Sequence, residues 1–150
     1  MDDSNLHDIY KYRRAEERIA TAGQPTVEQL AAVAAAGCST VINLGLHDAD
    51  YALHDERGTV ESLGMTYVHI PVAWDHPTPE DLARFSQTVS ALEGQDLFVH
   101  CAANVRVTVF IALDRIARQG WAPERAMATV DLGILPPAWQ QFISDVLARH

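Results

Sequence analysis

The chain has 150 residues, a length that fits one domain and leaves no room for two. Its 48% hydrophobic and 21% charged residues are typical of a globular protein and exclude intrinsic disorder. With 11 basic and 20 acidic residues, the net charge of −9 disfavours nucleic acid as a partner. The apolar runs fall short of the roughly 18 residues of a membrane span, and the polar start is unlike a signal peptide. We therefore expect a cytoplasmic protein that does not enter a membrane.

Strand-like and helix-like segments alternate along the chain. We expect residues 1–16 to form a polar N-terminal arm or short helix and residues 17–150 to form one α/β domain. This order is typical of a central, mostly parallel sheet of four or five strands with helices on both faces. The pattern predicts strands at 18–23, 39–44, 65–72 and 96–100, and helices at 26–36, 59–63, 78–92, 105–119, 123–132 and 137–148.

Two of the predicted helices begin with capping signals. Thr26 is followed three residues later by Gln29, and Thr78 by Asp81, so each pair can form a capping box. Pro79 suits the first position of its helix because its missing N–H has no partner there in any case. These signals fix the starts of both helices.

The segment most informative about function is 97–108, Leu-Phe-Val-His-Cys-Ala-Ala-Asn-Val-Arg-Val-Thr. It places Cys101 at the carboxyl end of a buried strand, where open α/β sheets bind ligands. The helix that begins at Val105 directs unpaired backbone N–H groups towards the loop, and their field favours a thiolate on Cys101. Arg106 adds a permanently charged, planar donor group that fits a phosphate-like anion. The pattern indicates a nucleophile beside an anion-binding loop.

This segment resembles the active-site loop of the cysteine-dependent phosphatases in the dual-specificity-like protein tyrosine phosphatase superfamily. The chain is most similar to a bacterial branch related to the phosphatase-like domain that is fused to metallo-β-lactamase-like hydrolases. The resemblance spans residues 18–147 and implies a phosphatase-like α/β fold. Shorter patterns at 22–26, 40–44 and 67–72 support it.

The resemblance implies a role for each matching residue. Cys101 would attack phosphorus and form a phosphocysteine, Arg106 would bind the phosphoryl oxygens, and Thr108 would steady the thiolate. Asp75, on the predicted loop 73–77, would be the general acid. The implied substrate is a phosphorylated small molecule or a phosphoprotein, and no cofactor or metal is expected. The predicted phosphate-binding loop comprises Ala102, Ala103, Asn104, Val105 and Arg106, with His100 shaping it.

The loop departs from the phosphatase pattern in one respect. That pattern has five residues between the cysteine and the arginine, and this chain has four. In one interpretation the loop keeps its full length, with Asn104 in the left-handed conformation at the usual glycine position and Arg106 moved one residue earlier, about 100° around the helix. In the other, the loop is contracted and resembles that of the rhodanese-class sulfurtransferases, which holds a persulfide. A non-catalytic anion-binding module is a third hypothesis.

Each candidate residue also has an alternative interpretation. Asp48, Asp50 and Asp55 compete with Asp75 for the role of general acid, and the alternative for Arg106 is an ion pair with Asp48 or Asp75. The alternative for Thr108 is a hydrogen bond back to a helix carbonyl. The His- and Asp-rich stretch 47–55 fits no zinc or calcium spacing, so no metal site is predicted. Cys38, between a helix and a strand, is expected to be a small core residue.

Overall fold

The computed structural model describes all residues, 1–150, as five strands and six α-helices. The predicted alternation of strands and helices is confirmed. The strands are Arg13–Glu16 (β1), Ile19–Ala22 (β2), Thr40–Asn43 (β3), Thr66–His69 (β4) and Leu97–His100 (β5). The helices are Val27–Ala35 (α1), Glu56–Ser62 (α2), Pro79–Ala91 (α3), Val105–Ala117 (α4), Pro123–Ala126 (α5) and Pro137–Ala148 (α6).

The strands form one sheet in the order β1-β2-β5-β3-β4. Strand β1 pairs antiparallel with β2, and the other three pairings are parallel. The predicted mostly parallel sheet is therefore confirmed. Strand β5 returns to the centre between β2 and β3, and all four of its residues are buried. Its carboxyl end thus lies between the carboxyl ends of two neighbours, the place where such sheets bind ligands.

Helices cover both faces of the sheet. One face packs under α1 and α2, and its cluster includes Leu30, Val33, Val60, Tyr67 and Phe98. The other face packs under α3, α4 and α6, and its larger cluster is rich in aromatic side chains, including Phe85, Phe110, Trp139 and Phe142. Helix α4 belongs to the core, because ten of its thirteen residues are buried. A helix this buried holds its first turn, and the loop before it, in a fixed position.

Both predicted capping boxes are present. The Thr26 hydroxyl accepts from Gln29 N while the Gln29 side chain accepts from Thr26 N, and Thr78 and Asp81 repeat the arrangement at α3. Pro79 occupies the first turn of α3, as predicted.

The N-terminal segment is more structured than the predicted arm. Leu6 and Ile9 are buried in the cluster under α1 and α2, and residues 13–16 form the edge strand β1. The two apolar side chains, three positions apart, join the core on that face of the sheet, which a free arm would not do. The boundary between an arm and a domain at residue 17 stays a prediction.

Two predicted helix boundaries were wrong. Helix α2 begins at Glu56 rather than at residue 59, because the Asp55 carboxylate accepts from Gly58 N and caps the helix one turn earlier. The predicted helix 123–132 ends at Ala126 and continues as two 3₁₀ turns, the second capped by Asp131, whose side chain accepts from Gly133 N. None of the helices combines the length and the apolar character needed to cross a membrane.

Candidate active site

Cys101 directly follows the central strand β5 and is completely buried. Its backbone N–H donates to Ala22 O over 3.4 Å, which continues the pairing of β5 with β2 by one residue. The next carbonyl, Ala102 O, accepts from Gln24 N over 3.0 Å. The start of the loop is therefore fastened to the chain that leaves β2.

Gly23 allows the two segments to approach this closely. It forms an isolated antiparallel bridge with Ala103, and its N–H donates to Tyr10 O over 2.7 Å. A Cβ atom at Gly23 would lie only 2.6 Å from Ala102 O, a backbone atom that cannot swing aside. The glycine is thus required for the position of the loop.

Asn104 ends the loop and begins α4. Its φ of 63° and ψ of 14° are left-handed, as the sequence predicted. The residue is buried, and its side-chain amide donates to Lys11 O over 2.9 Å and to Thr21 Oγ1 over 3.0 Å. These two hydrogen bonds tie the loop to the N-terminal segment and to β2, so the short turn before the helix has one preferred shape.

Arg106 lies in the first turn of α4 and is only 6% exposed. The predicted alternative, an ion pair with Asp48 or Asp75, is absent, because no carboxylate lies within ion-pairing distance of its guanidinium. Its Nε atom is buried with no hydrogen-bond partner. The neighbour that the guanidinium does have is the Trp74 ring, whose centroid is 5.2 Å away. No carboxylate of the protein therefore compensates the charge of this buried guanidinium, and such a group needs an anionic partner more than an exposed one does.

The turn that carries Asp75 lies beside Arg106, since the adjacent Trp74 is the ring next to the guanidinium. The turn is closed by the hydrogen bond from His76 N to Ala73 O over 3.2 Å. Trp139 of α6 anchors it, because its indole N–H donates to Trp74 O over 2.7 Å. The Asp75 carboxylate is exposed and has no hydrogen-bond or ion-pair partner in the protein.

The three competing aspartates are placed differently. Asp55 is the N-cap of α2, so its carboxylate has a structural role. Asp48 and Asp50 are exposed in the segment between β3 and α2. None of the three forms a hydrogen bond or an ion pair with Arg106. Trp74, the neighbour of Asp75, lies against the Arg106 guanidinium. Asp75 therefore remains the preferred candidate for the general acid.

Thr108 uses its hydroxyl within the helix. Its Oγ1 donates to Asn104 O over 2.6 Å, the back-bonded arrangement that the sequence left open as an alternative. This bond adds to the hold on the loop, and a role of Thr108 towards the thiolate stays a prediction.

A buried carboxylate that the sequence analysis did not single out reaches the same loop. Glu56 Oε2 lies 2.6 Å from Nε2 of the fully buried His100, and its Oε1 accepts from Gln24 Nε2 over 2.8 Å. Burial alone would raise the pKa of the Glu56 carboxyl. The hydrogen bonds from His100 and Gln24 and the charge of His100 outweigh that effect and hold the pKa below its usual range. Glu56 borders the Asp-rich stretch, but nothing in the sequence distinguished it.

The histidines of this region contact one another and neighbouring polar groups. The rings of His47 and His69 stack with centroids 3.6 Å apart, His47 Nε2 lies 2.8 Å from the Tyr67 hydroxyl, and His69 Nε2 lies 2.7 Å from Gly45 O. Burial lowers the pKa of His69. No group of three or more His, Cys, Asp or Glu side chains is arranged to hold a metal ion.

Comparison with known proteins identifies related sequences. A family model described as DSP-PTPase phosphatase fused to NAD+ kinase matches residues 2–132. The beta-lactamase hydrolase-like protein of Agrobacterium fabrum is 29% identical over 103 residues, which cover 67% of this chain and 24% of that protein. The chain thus spans about a quarter of the length of the curated relatives it matches.

Solved structures of similar fold include proteins described as phosphatases. A protein from Shewanella putrefaciens CN-32 described as "Putative phosphatase (DUF442)" has a TM-score of 0.88 at 31% identity, over 99% of this chain and 98% of that one. P. aeruginosa TpbA in complex with pTyr has a TM-score of 0.66 at 18% identity, over 92% and 81% of the two chains, which supports the fold alone. The resemblance noted in the sequence is confirmed: the chain belongs to the family described as DSP-PTPase phosphatase fused to NAD+ kinase.

Proposed function

We propose that this protein is a cysteine-dependent phosphatase that hydrolyses a phosphomonoester through a phosphocysteine on Cys101. The observation that carries the proposal is Arg106, a buried guanidinium without a carboxylate partner in the first turn of the helix that follows Cys101. The backbone N–H groups of the same turn add partial positive charge. A phosphoryl group would supply the missing negative charge and bring its phosphorus to the cysteine.

The chemistry follows from these groups in two steps. In the first, the Cys101 thiolate attacks phosphorus, the bond from phosphorus to the ester oxygen breaks, and Asp75 donates a proton to that oxygen. In the second, water attacks phosphorus, the Asp75 carboxylate takes a proton from the water, and the bond from phosphorus to sulfur breaks. The products are an alcohol, inorganic phosphate and the regenerated thiolate.

The proposed substrate is a phosphorylated small molecule or a phosphoprotein. TpbA, which shares the fold, has been crystallised with pTyr, and PTPMT1, another protein of this fold, with PI(5)P. The net charge of −9 would repel substrates with many negative charges beyond the pocket, and therefore favours an isolated phosphoryl group.

Hydrolysis of para-nitrophenyl phosphate between pH 5 and 8 tests the proposal. The wild type should turn over the ester, Cys101→Ser should lose at least about a thousandfold in kcat, and Cys38→Ser should match the wild type. Vanadate should inhibit, and a chelator should have no effect. Turnover that survives in Cys101→Ser would refute the role of Cys101.

One observation favours a second function, sulfur transfer. Only four residues separate Cys101 from Arg106, as in the short loops of rhodanese-class sulfurtransferases. The Cys101 thiolate would attack the outer sulfur of thiosulfate, forming a persulfide and releasing sulfite. A mass gain of one sulfur on Cys101 after incubation with thiosulfate, without ester hydrolysis, would establish this function. Phosphate binding with neither reaction would indicate an anion-binding module.

A further inference from the structure

Glu56 is connected to the cysteine loop at two points. Its Oε2 faces His100, whose other ring nitrogen, Nδ1, lies 3.3 Å from the carbonyl oxygen of Cys101. Its Oε1 accepts from the side chain of Gln24, whose backbone N–H holds Ala102 O. The Glu56 carboxylate on α2 therefore holds two residues in place. One is His100, which precedes Cys101, and the other is Gln24, which hydrogen-bonds to Ala102 O.

Stability alone gives a poor reason for this arrangement. Glu56 is 3% exposed and His100 is fully buried, and removing a carboxylate and its polar partner from water costs about as much as their interaction returns. An apolar pair of similar size would pack between α2 and β5 without that cost. The polar pair is therefore better explained by its effect on the neighbouring loop.

Both ring nitrogens of His100 face oxygen acceptors, the Glu56 carboxylate and the Cys101 carbonyl. A neutral imidazole has one N–H and can donate to only one of them, whereas an imidazolium donates to both. The Glu56 carboxylate and the Cys101 carbonyl therefore fix the orientation of the ring from both sides. The orientation of the Cys101 carbonyl in turn fixes the backbone that carries the Cys101 thiol.

We infer that Glu56 is a positioning residue for Cys101, acting through His100 and Gln24 to fix the loop and to favour the thiolate. Its effect on turnover rests on the proposed phosphatase function, whereas its effect on the ionisation of Cys101 does not.

Other charged and titratable groups near the pair come from three elements. Strand β4 contributes Tyr67 and His69, the segment after β3 contributes His47, and α2 contributes Arg57, whose guanidinium lies 5.0 Å from the Tyr67 ring centroid. His100 Nε2 lies 2.6 Å from Glu56 Oε2, and none of these other groups comes within ion-pairing distance of the Glu56 carboxylate. Substituting Glu56 therefore acts first on His100.

The test compares Glu56→Gln with Glu61→Gln. Glu61 lies on the same helix, but it is exposed and pairs only with Arg57 at the surface, so its substitution removes the same charge without touching the loop. The rate of Cys101 alkylation by iodoacetate is measured against pH in both variants and in the wild type, and circular dichroism checks folding. The midpoint should rise by about one pH unit in Glu56→Gln and stay unchanged in Glu61→Gln.

Turnover supplies an independent readout. In Glu56→Gln, kcat for para-nitrophenyl phosphate should fall roughly tenfold and its pH profile should move in the same direction as the alkylation midpoint, with a smaller change in KM. A wild type that fails to hydrolyse the ester would refute the phosphatase function, yet a shifted alkylation midpoint would still uphold the role of Glu56.

An alkylation midpoint that is the same in Glu56→Gln and the wild type would overturn the inference, even if kcat fell. If Glu56→Gln does not fold, Gln24→Leu provides the same test, because it removes one hydrogen bond from Glu56 and no charge. Its midpoint should rise by a smaller amount, and an unchanged midpoint in the folded variant would equally contradict the proposed role.

Discussion

The two cysteines of this protein are both buried and both free, but they lie at opposite ends of the sheet. Cys38 precedes β3, at the amino ends of the parallel strands, with Met1 Sδ 3.9 Å from its sulfur. Burial, followed by the negative charge of Asp96, raises its pKa to about 11. Cys101 follows β5, at the carboxyl ends, where the amino end of α4 and Arg106 supply positive charge.

Both thiols are buried, so position in the sheet is what distinguishes their surroundings. In a parallel sheet the carboxyl ends of the strands meet the amino ends of the following helices, so a thiol there faces backbone N–H groups. A thiol at the other end has no such partner and remains protonated.

Selective alkylation tests the comparison most simply. A thiol with a pKa of about 11 is ionised to only about one part in ten thousand at pH 7, so Cys38 should be nearly inert. Iodoacetate should label Cys101 at least about a hundredfold faster than Cys38 in the folded protein. Mass spectrometry of the two peptides measures the ratio, and equal labelling would contradict the proposed difference.

Removing the Arg106 guanidinium should impair catalysis strongly. Arg106→Met should lower kcat/KM for para-nitrophenyl phosphate by about two to three orders of magnitude, because the phosphoryl oxygens lose their charged donor. Arg149→Met, at an exposed position near the C-terminus, is the matched control and should leave kcat/KM within about twofold. A fully active Arg106→Met would show that this arginine does not bind the phosphoryl group.

Removing the proposed general acid, Asp75, should slow catalysis less than removing Arg106. Asp75→Asn should lower kcat for para-nitrophenyl phosphate by roughly ten- to a hundredfold, because the leaving oxygen departs without a proton. Asp48 and Asp50 are exposed and make no hydrogen bond or ion pair with Arg106, so Asp48→Asn and Asp50→Asn should behave as the wild type. If one of these controls lost activity and Asp75→Asn did not, the acid would have been assigned to the wrong residue.

The smallest effect concerns the shape of the loop. Gly23→Ala places a methyl group 2.6 Å from Ala102 O, so the loop has to shift. We expect a loss of about 1–3 kcal/mol in unfolding free energy, measured with urea, and roughly a tenfold lower kcat. In Gly133→Ala, where the added atom would meet only a side-chain oxygen at 3.2 Å, both quantities should stay near the wild-type values. Unchanged values in Gly23→Ala would mean that the loop does not depend on this contact.

Much of the fold could be predicted because its signals are local. Capping boxes at α1 and α3 marked helix starts, and the continuous apolar run of β5 marked a central strand. The N-terminal segment was not recognised because Leu6 and Ile9 are two isolated apolar residues, whose burial depends on a surface that only the folded sheet provides. The start of α2 was misplaced because Asp55 was one of several aspartates in a polar stretch.

The residues of the candidate site likewise fall into those that the sequence indicated and those that only the structure revealed. The sequence alone indicated Cys101, Arg106 and the left-handed Asn104, because strand, loop and helix are contiguous there. It gave no indication that Trp74 would lie against Arg106, or that Glu56 would reach His100 from 44 positions away. Such contacts depend on how helices and turns pack across the sheet, and no spacing along the chain encodes them.

The most direct test of the central claim is to look for the phosphocysteine itself. The wild type is mixed with para-nitrophenyl phosphate, quenched in acid within the first turnovers, digested and examined by mass spectrometry, with Cys101→Ser in parallel. The account predicts one phosphoryl group on the peptide that contains Cys101 and none in the variant. Hydrolysis by the wild type with the phosphoryl group on another residue, or with an equal yield from Cys101→Ser, would contradict it.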